Sequence, residues 1–447
     1  MKILWVKMGG LWPSTTGGRV RSLRTISELA TRHEVTVITT HGPGDDPEGL
    51  AERLSACQKV VSIPYVPPKR GSASFPAAVA RSWFSRYPVD LCKWQVPEVR
   101  QQVEALMRSG AVDLCVTDFL FAAVNVPTGG PVPTVLFEHN VEYIIWQRLC
   151  ALETNPVKRA LFEIEWRKLR ASEAAACRRA DLTIAVSDDD RDRLRDIAPG
   201  ISAASIPTGV DTTYFSPNRS LEVPSRLVFS GSMDWHPNED AVLHFADTIL
   251  PRIRAEVPDV SFTIVGRNPT ARVRALAEQP GIYITGTVDD VRPSIAEGSV
   301  YVVPLRAGGG TRLKIFEALA MAQPVVSTTV GAEGLGLEPG RHFIAADDPG
   351  AFADSVIALL RDPARRLALG DAGRELVEAC YSWPTVARRF EELCEKAVID
   401  HGYARERADR RETNHGADLS RGGSPRHGGA GIVAREHAEV SWSHPHP

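Results

Sequence analysis

The chain has 447 residues, 43% of them apolar and 24% charged, which are values of a globular protein of two or three domains. Its 52 Lys and Arg against 55 Asp and Glu leave a net charge of −3, which argues against a dedicated nucleic-acid binder. Seven scattered cysteines without a C-x-x-C pair speak against a disulfide framework or structural zinc, and a reducing, cytoplasmic setting is expected.

No stretch reaches the roughly 18 apolar residues of a membrane span. Met1–Lys7 carries only a short apolar run between two lysines, so it is expected to be a buried strand rather than a signal peptide. Ile3–Val6 is that strand. Residues 8–18 form a Gly/Pro/Ser/Thr-rich loop ending in Gly17-Gly18, and Val20, Leu23, Ile26 and Leu29 recur at helical spacing. Glu34–Thr40 is β-branched and alternating, so it is the next strand. Strand, glycine loop, helix, strand is the crossover unit of a parallel sheet. Further strands are predicted at Val60–Ile63, Asp113–Thr117, Thr134–Phe137 and Leu182–Val186, with a long charged helix over Lys158–Arg179.

Ile206–Asp211 is a breaker cluster and a hinge candidate. A second α/β unit follows it. Strands are predicted at Arg226–Ser230, Ser261–Val265, Ile282–Thr285, Val300–Val303 and Val325–Thr328, and helices at Asn238–Glu256, Arg312–Met321 and Pro384–Val398. Two α/β units divided near residue 210 imply two Rossmann-like domains across a cleft. Residues 401–447 are rich in Arg, Gly and His and poor in apolar residues, and are expected to be disordered.

The strongest chemical signal is the strand Val300–Val303 running into Gly308-Gly309-Gly310-Thr311-Arg312 and a helix. Glycines let a ligand approach the backbone, and a helix N-terminus attracts an anion such as a diphosphate. Arg312 and Lys314 in the first helical turn oppose the helix dipole, a conflict that an anionic ligand resolves. Glu317, among apolar neighbours, is placed to accept hydrogen bonds from ribose hydroxyls. A flexible turn with an exposed charged face is the plainer alternative. Asp188-Asp189-Asp190 after Ser187 reads as helix capping rather than as a metal motif.

This run resembles the donor site of glycosyltransferase family 4, whose members are retaining enzymes of the GT-B fold. The resemblance extends to about residue 398. It includes Gly17-Gly18, Glu138-His139-Asn140-Val141-Glu142, Ala185-Val186-Ser187, residues 207–215, residues 229–235 and Val265-Gly266. It implies an α/β fold with two Rossmann-like domains whose parallel sheets face a central cleft. Residues 1–208 would bind the acceptor and 209–382 the nucleotide sugar, with a helix at 383–400 packing back toward the first domain.

The resemblance makes His139 a catalytic candidate, and the helix-start argument adds Arg312 and Lys314. Gly17, Gly18, Arg19, Asp118, Glu138, Asn140, Ser230, Gly231, Gly266, Gly308–Gly310, Thr311 and Glu317 are the binding candidates. The family's glutamate pair keeps its second member, Glu317, but Gly309 stands at the first. The family also places an Arg and a Lys near Ser232 and Asn238, where this chain has no base. Arg312 and Lys314, then Arg306, are the expected substitutes.

The implied reaction is transfer of a sugar from a UDP- or GDP-type nucleotide sugar to a sugar, lipid-linked sugar or small-molecule hydroxyl, with no metal and no other cofactor. An epimerase or phosphorylase on the same fold, or a non-catalytic nucleotide-binding partner, are the rival readings. Between residues 69 and 100, bases mix with Phe75, Trp83, Phe84, Tyr87 and Trp94. That mixture suits either an anionic membrane surface, at the cytoplasmic face, or a helical core face with a solvated edge.

Overall fold

The computed structural model describes residues 1–14, 16–68, 71–72, 74–127, 129–307 and 313–419, with only the backbone described at 152 and 408–419. Its strands form two parallel sheets. The first holds β1 (Lys2–Lys7), β2 (Glu34–His41), β3 (Lys59–Pro64), β4 (Leu114–Asp118), β5 (Thr134–Phe137), β6 (Leu182–Ala185) and β7 (Ala203–Ser205), in the order β3-β2-β1-β4-β5-β6-β7. The second holds β8 (Arg226–Ser230), β9 (Ser261–Val265), β10 (Ile282–Gly286), β11 (Val300–Val303), β12 (Val325–Ser327) and β13 (Ile344–Ala345), in the order β10-β9-β8-β11-β12-β13.

Helices cover both faces of these sheets, so central strands read as unbroken apolar runs. Ile3, Leu4, Trp5 and Val6 of β1 are fully buried, as are Val300–Val303 of β11. The strand order reverses between β1 and β4 and again between β8 and β11, the points at which open α/β sheets bind ligands. The short β7 and β13 have no counterpart among the predicted strands, being only three and two residues long.

The helices that matter for the site are α1 (Gly17–Leu29), α2 (Phe75–Trp83), α3 (Glu142–Leu152), α4 (Pro156–Arg179), α5 (Asp188–Ile197), α6 (His236–His244), α7 (Leu313–Ala320), α8 (Pro363–Cys380) and α9 (Trp383–Leu419). Asn155 caps α4 by accepting from the N–H groups of Val157 and Lys158 at 3.0 and 3.1 Å. The predicted helix over 238–256 divides instead. After α6 it widens into a π turn at Phe245–Ile249, just ahead of Pro251, which has no N–H to give the ladder.

The chain crosses between the two sheets twice, and the crossings lie side by side. Val210 donates to Tyr381 O at 2.8 Å and accepts from Trp383 N at 3.2 Å. After the second crossing, α9 returns to the first sheet. There Phe390 packs on Trp5 and Phe137 with ring centroids 5.5 and 5.1 Å away, and Glu391 bridges Arg32 and His33, each at 2.7 Å.

The expected disorder from residue 401 is corrected over 401–419, where α9 continues. The stretch Ala404-Arg405-Glu406-Arg407 is made of good helix formers that prolong an existing helix. His401 pairs with Asp181 at 2.8 Å and Arg405 donates to Pro131 O at 3.2 Å, so its start leans on the first domain. Residues 420–447 lie outside the described residues.

A Cβ on Gly209 would stand 2.5 Å from the Trp383 ring, so the paired crossings need a glycine there. Gly209→Ala should lower stability by about 1–3 kcal/mol, read as a drop in the denaturation midpoint. Gly130→Ala, whose added methyl meets open space, should change it far less.

Candidate active site

On the first sheet the site is built at the ends of β1, β4 and β5. Parallel register sets Lys7 beside Asp118, and Asp118 beside Phe137. Lys7 Nζ therefore reaches Asp118 Oδ1 at 3.2 Å, and Trp5 Nε1 donates to Oδ2 at 2.8 Å. All three side chains are buried. Burial opposes the charge on Asp118, but Lys7 and then His139 outweigh it and hold the carboxyl below its usual range. Burial lowers the Lys7 ammonium, and Asp118 opposes that shift.

His139 Nε2 stands 3.0 Å from Asp118 Oδ1, yet neither ring nitrogen makes a hydrogen bond of good geometry among the described residues. The contact is close but misaligned. The ring stacks on Phe119, with centroids 4.0 Å apart and planes at 25°, and lies 4.4 Å from Phe137. Phe119 takes a positive φ of 72°, a strained conformation for an aromatic residue. Burial pushes the His139 pKa down to about 3, so the imidazole is neutral at pH 7.

Gly18 has a packing reason, since a Cβ there would meet the Phe119 ring at 3.0 Å and His139 Nδ1 at 3.6 Å. Gly17 faces the other domain, where an added methyl would stand 3.9 Å from Leu313 Cδ1. The start of α1 thus opposes the start of α7. Arg19 is drawn aside to Asp45 at 2.8 Å and Pro13 O at 3.1 Å. Sequence reasoning passed over Lys7 and Arg21, two buried bases beside Asp118. Arg21 donates to Thr208 at the linker, and burial lowers it to about 10.

Glu138 turns inward rather than to the cleft. It accepts from Leu120 N at 3.3 Å, and its Oε1 has no hydrogen-bond partner among the described residues. Glu173 of α4 accepts from the N–H groups of Glu142 and Tyr143 at 2.8 and 3.2 Å, and Asn140 Nδ2 reaches Glu142 at 3.5 Å. Burial raises all three acids: Glu138 well above its ordinary value, Glu142 to about 7 and Glu173 to about 8.

On the second sheet, Ser230 Oγ lies 2.6 Å from the buried Tyr301 hydroxyl. Gly231 and Gly266 let the ends of β8 and β9 meet, for a Cβ on Gly266 would overlap Gly231 O. Lys314 of α7 donates to Asn238 Oδ1 at 2.7 Å and sits 4.1 Å over the Phe229 ring. Arg267, just past β9, donates to Ser232 Oγ at 2.9 Å. The two positions without a base in sequence are thus each touched by a base from another element. Lys314 was flagged in sequence and Arg267 was not; its only signal there is its place after Val265-Gly266.

Arg306 pairs bidentately with Asp240 at 3.0 and 2.5 Å, away from the corner that Lys314 and Arg267 share. Glu317 lies one turn beyond Lys314 and is partly exposed but surrounded by protein. Burial raises its pKa to about 7, and Lys314 moderates the shift. Gly308, Gly309, Gly310, Thr311 and Arg312 lie outside the described residues. Ser187 caps α5 by accepting from Asp190 N at 3.1 Å, so the three aspartates occupy a first helical turn. Among the described residues, no group of three or more His, Cys, Asp or Glu is arranged to hold a metal ion.

Two family models match the chain, "Glycosyltransferase Family 4" over residues 15–214 and "Glycosyl transferases group 1" over 224–362. A phosphatidyl-myo-inositol mannosyltransferase of Mycobacterium leprae is 34% identical over 46% of this chain and 57% of that protein. A GDP-mannose-dependent alpha-(1-6)-phosphatidylinositol monomannoside mannosyltransferase of Mycobacterium tuberculosis is 28% identical over 47% and 60%. The chain thus matches less than two thirds of the length of either. An uncharacterized 44.6 kDa protein from the cps region of Klebsiella pneumoniae is 22% identical over 80% of this chain and 90% of its own. Among solved structures, sucrose-phosphate synthase of Thermosynechococcus elongatus covers 90% of this chain and all of its own at 17% identity, with a TM-score of 0.62. HepE of Anabaena in complex with UDP covers 89% of this chain and all of its own at 14% identity, with a TM-score of 0.60. These likenesses establish the two-domain GT-B fold.

The buried acids bear on stability. Folded Glu142 and Glu173 keep protons up to about pH 7 and 8, whereas the unfolded chain releases them near 4.5. Between those values the native state binds more protons, so stability should fall as pH rises, by at most about 1.4 kcal/mol per pH unit for each group. Denaturant midpoints measured from about pH 5 to 8 should show the fall, and Glu173→Gln should flatten its upper part.

Proposed function

This chain belongs to glycosyltransferase family 4, and we propose that it moves a sugar from a UDP- or GDP-type nucleotide sugar to an acceptor hydroxyl with retained anomeric configuration. The observation that carries the donor reading is the convergence at the C-terminal edge of the second sheet. Lys314 on Asn238, Arg267 on Ser232 and the start of α7 surround one corner, with Glu317 a turn away. A diphosphate there meets two bases and a helix N-terminus, and Glu317 is left for the ribose.

The leaving nucleoside diphosphate develops the charge that most needs stabilising. Preoriented cations and amides supply that without a metal, and we read the reaction as metal-independent on that ground. A neutral His139 serves as a hydrogen-bonding group beside the reacting sugar, not as a charged acid. Retention follows from attack on the face from which the phosphate departs, with that phosphate taking the acceptor proton. Closure of the cleft about the paired crossings would exclude water.

The mannosyltransferase relatives are named for phosphatidylinositol-based acceptors. We take a lipid-linked or polysaccharide acceptor as the best-supported class, met by the first domain at a membrane's cytoplasmic face. All seven cysteine thiols are free, which supports a reducing compartment. Among the described residues no helix is long and apolar enough to cross a membrane.

The test is calorimetric binding and nucleoside diphosphate release across UDP-, GDP-, ADP- and dTDP-sugars. One nucleotide class should bind, and Lys314→Ala should weaken it about 10- to 100-fold, as expected for a charge-assisted contact. Glu317→Ala should also weaken binding. If no nucleotide binds, or Glu317→Ala binds like the wild type, the donor site is misassigned.

A further inference from the structure

The first domain carries large apolar side chains that face solvent. On α4, Val157, Leu161 and Ile164 are 69%, 47% and 51% exposed. Their spacing of four and three residues puts them on one face of the helix. The next position on that stripe is Lys168, whose Nζ donates to Ser82 O at 2.7 Å. Ser82 lies at the end of α2, and the two residues after it, Trp83 and Phe84, are 68% and 93% exposed. Lys168 thus ties α4 to the tip of α2. The neighbouring α3 adds Ile145 and Leu149, four residues apart and 43% and 47% exposed. The seam between α3 and α4 is filled separately by Trp146 against Phe162, with centroids 5.7 Å apart.

The charge around this face is one-sided. Segments 74–88 and 145–170 hold eight Lys and Arg against three Asp and Glu, in a chain whose net charge is −3. Two of those acids are committed. Glu163 pairs with Arg167 at 2.6 Å, and Glu165 accepts from Val89 N at 2.7 Å. Bases at a water interface keep their heads wet while aromatic and aliphatic groups sink, which is the pattern of a helix lying in a headgroup layer. The aromatic and basic residues of the 69–100 region divide accordingly. Trp94 packs inward between Tyr65 and Phe121, at centroid distances of 5.8 and 6.4 Å, while Trp83 and Phe84 face out.

We propose that the α2 tip and the α3–α4 hairpin form a docking face for an anionic lipid bilayer. The proposal rests on the reading of a lipid-linked acceptor and names the surface that would bring it. Its geometry serves that reading, because α3 starts three residues after His139. A bilayer held on this hairpin lies on the same domain as the acceptor end of the cleft.

The experiment is vesicle co-sedimentation of the full chain, with phosphatidylcholine alone and with phosphatidylcholine containing phosphatidylglycerol. Binding should require the anionic lipid and fade as salt rises. The paired variants Leu161→Glu with Ile164→Glu, and Trp83→Ser with Phe84→Ser, should each weaken it about tenfold or more. They should leave nucleotide affinity unchanged, which also checks that they fold. Lack of binding to anionic vesicles, or wild-type binding by both variants, overturns the proposal. So does a wild-type dimer that ignores lipid and becomes monomeric in the Leu161→Glu, Ile164→Glu variant, for the face then joins two copies of the chain. Vesicle binding through this face by a protein that binds no nucleotide upholds the docking face and overturns only the donor reading.

Discussion

Every strand in both sheets runs parallel to its neighbours. A parallel sheet must cover both faces with crossover helices, so its strands all end at the same edge and their connecting loops gather there. Lys7, Asp118 and His139 collect at one such edge, and Ser230, Gly231 and Gly266 at the other. The approach of Gly17 to Leu313 shows the two edges turned toward each other. The cleft is a consequence of strand direction before any side chain is chosen.

Within that frame the electrostatics are local and costly. Lys7 and Asp118 are both buried, and a buried pair is sustained only by good geometry and further hydrogen bonds. Trp5 supplies one. Removing either charge would leave the other stranded, so the pair holds β1 to β4 at the point where the strand order reverses. The acids Glu138, Glu142 and Glu173 follow the opposite course. With no nearby base strong enough to offset burial, they take up protons. On the second sheet Lys314 donates to Asn238 and Arg267 to Ser232, both uncharged partners.

The chain binds its two halves through one short region. Val210 and residues 381–383 pair as the chain passes out and back, and α9 then closes over Trp5 and Phe137. In the proposed closure of the cleft, these paired crossings are the segment about which the two halves would turn.

Much of this was legible in sequence. Short apolar, β-branched runs located the central strands, helical spacing located α1, a long charged run located α4, and the breaker cluster at 206–211 marked the first crossing. Local chemistry marked Lys314 and Glu317, because a base in a first helical turn and an acid among apolar neighbours are anomalies at short range. Other features depend on distant partners. Arg306 looked free until Asp240, 66 residues away, claimed it, and Arg267 gained a role only through Ser232. The inward turn of Glu138 and the second crossing at 381–383 are likewise long-range outcomes. Sequence by itself determined where the central strands and most of the long helices form, since these follow from neighbours along the chain, but not the short edge strands β7 and β13 or the division of the 238–256 helix. Which charges face the cleft and which are spent on one another was decided only in the tertiary structure, because a side chain's partner and its burial are set by packing between elements far apart in the chain.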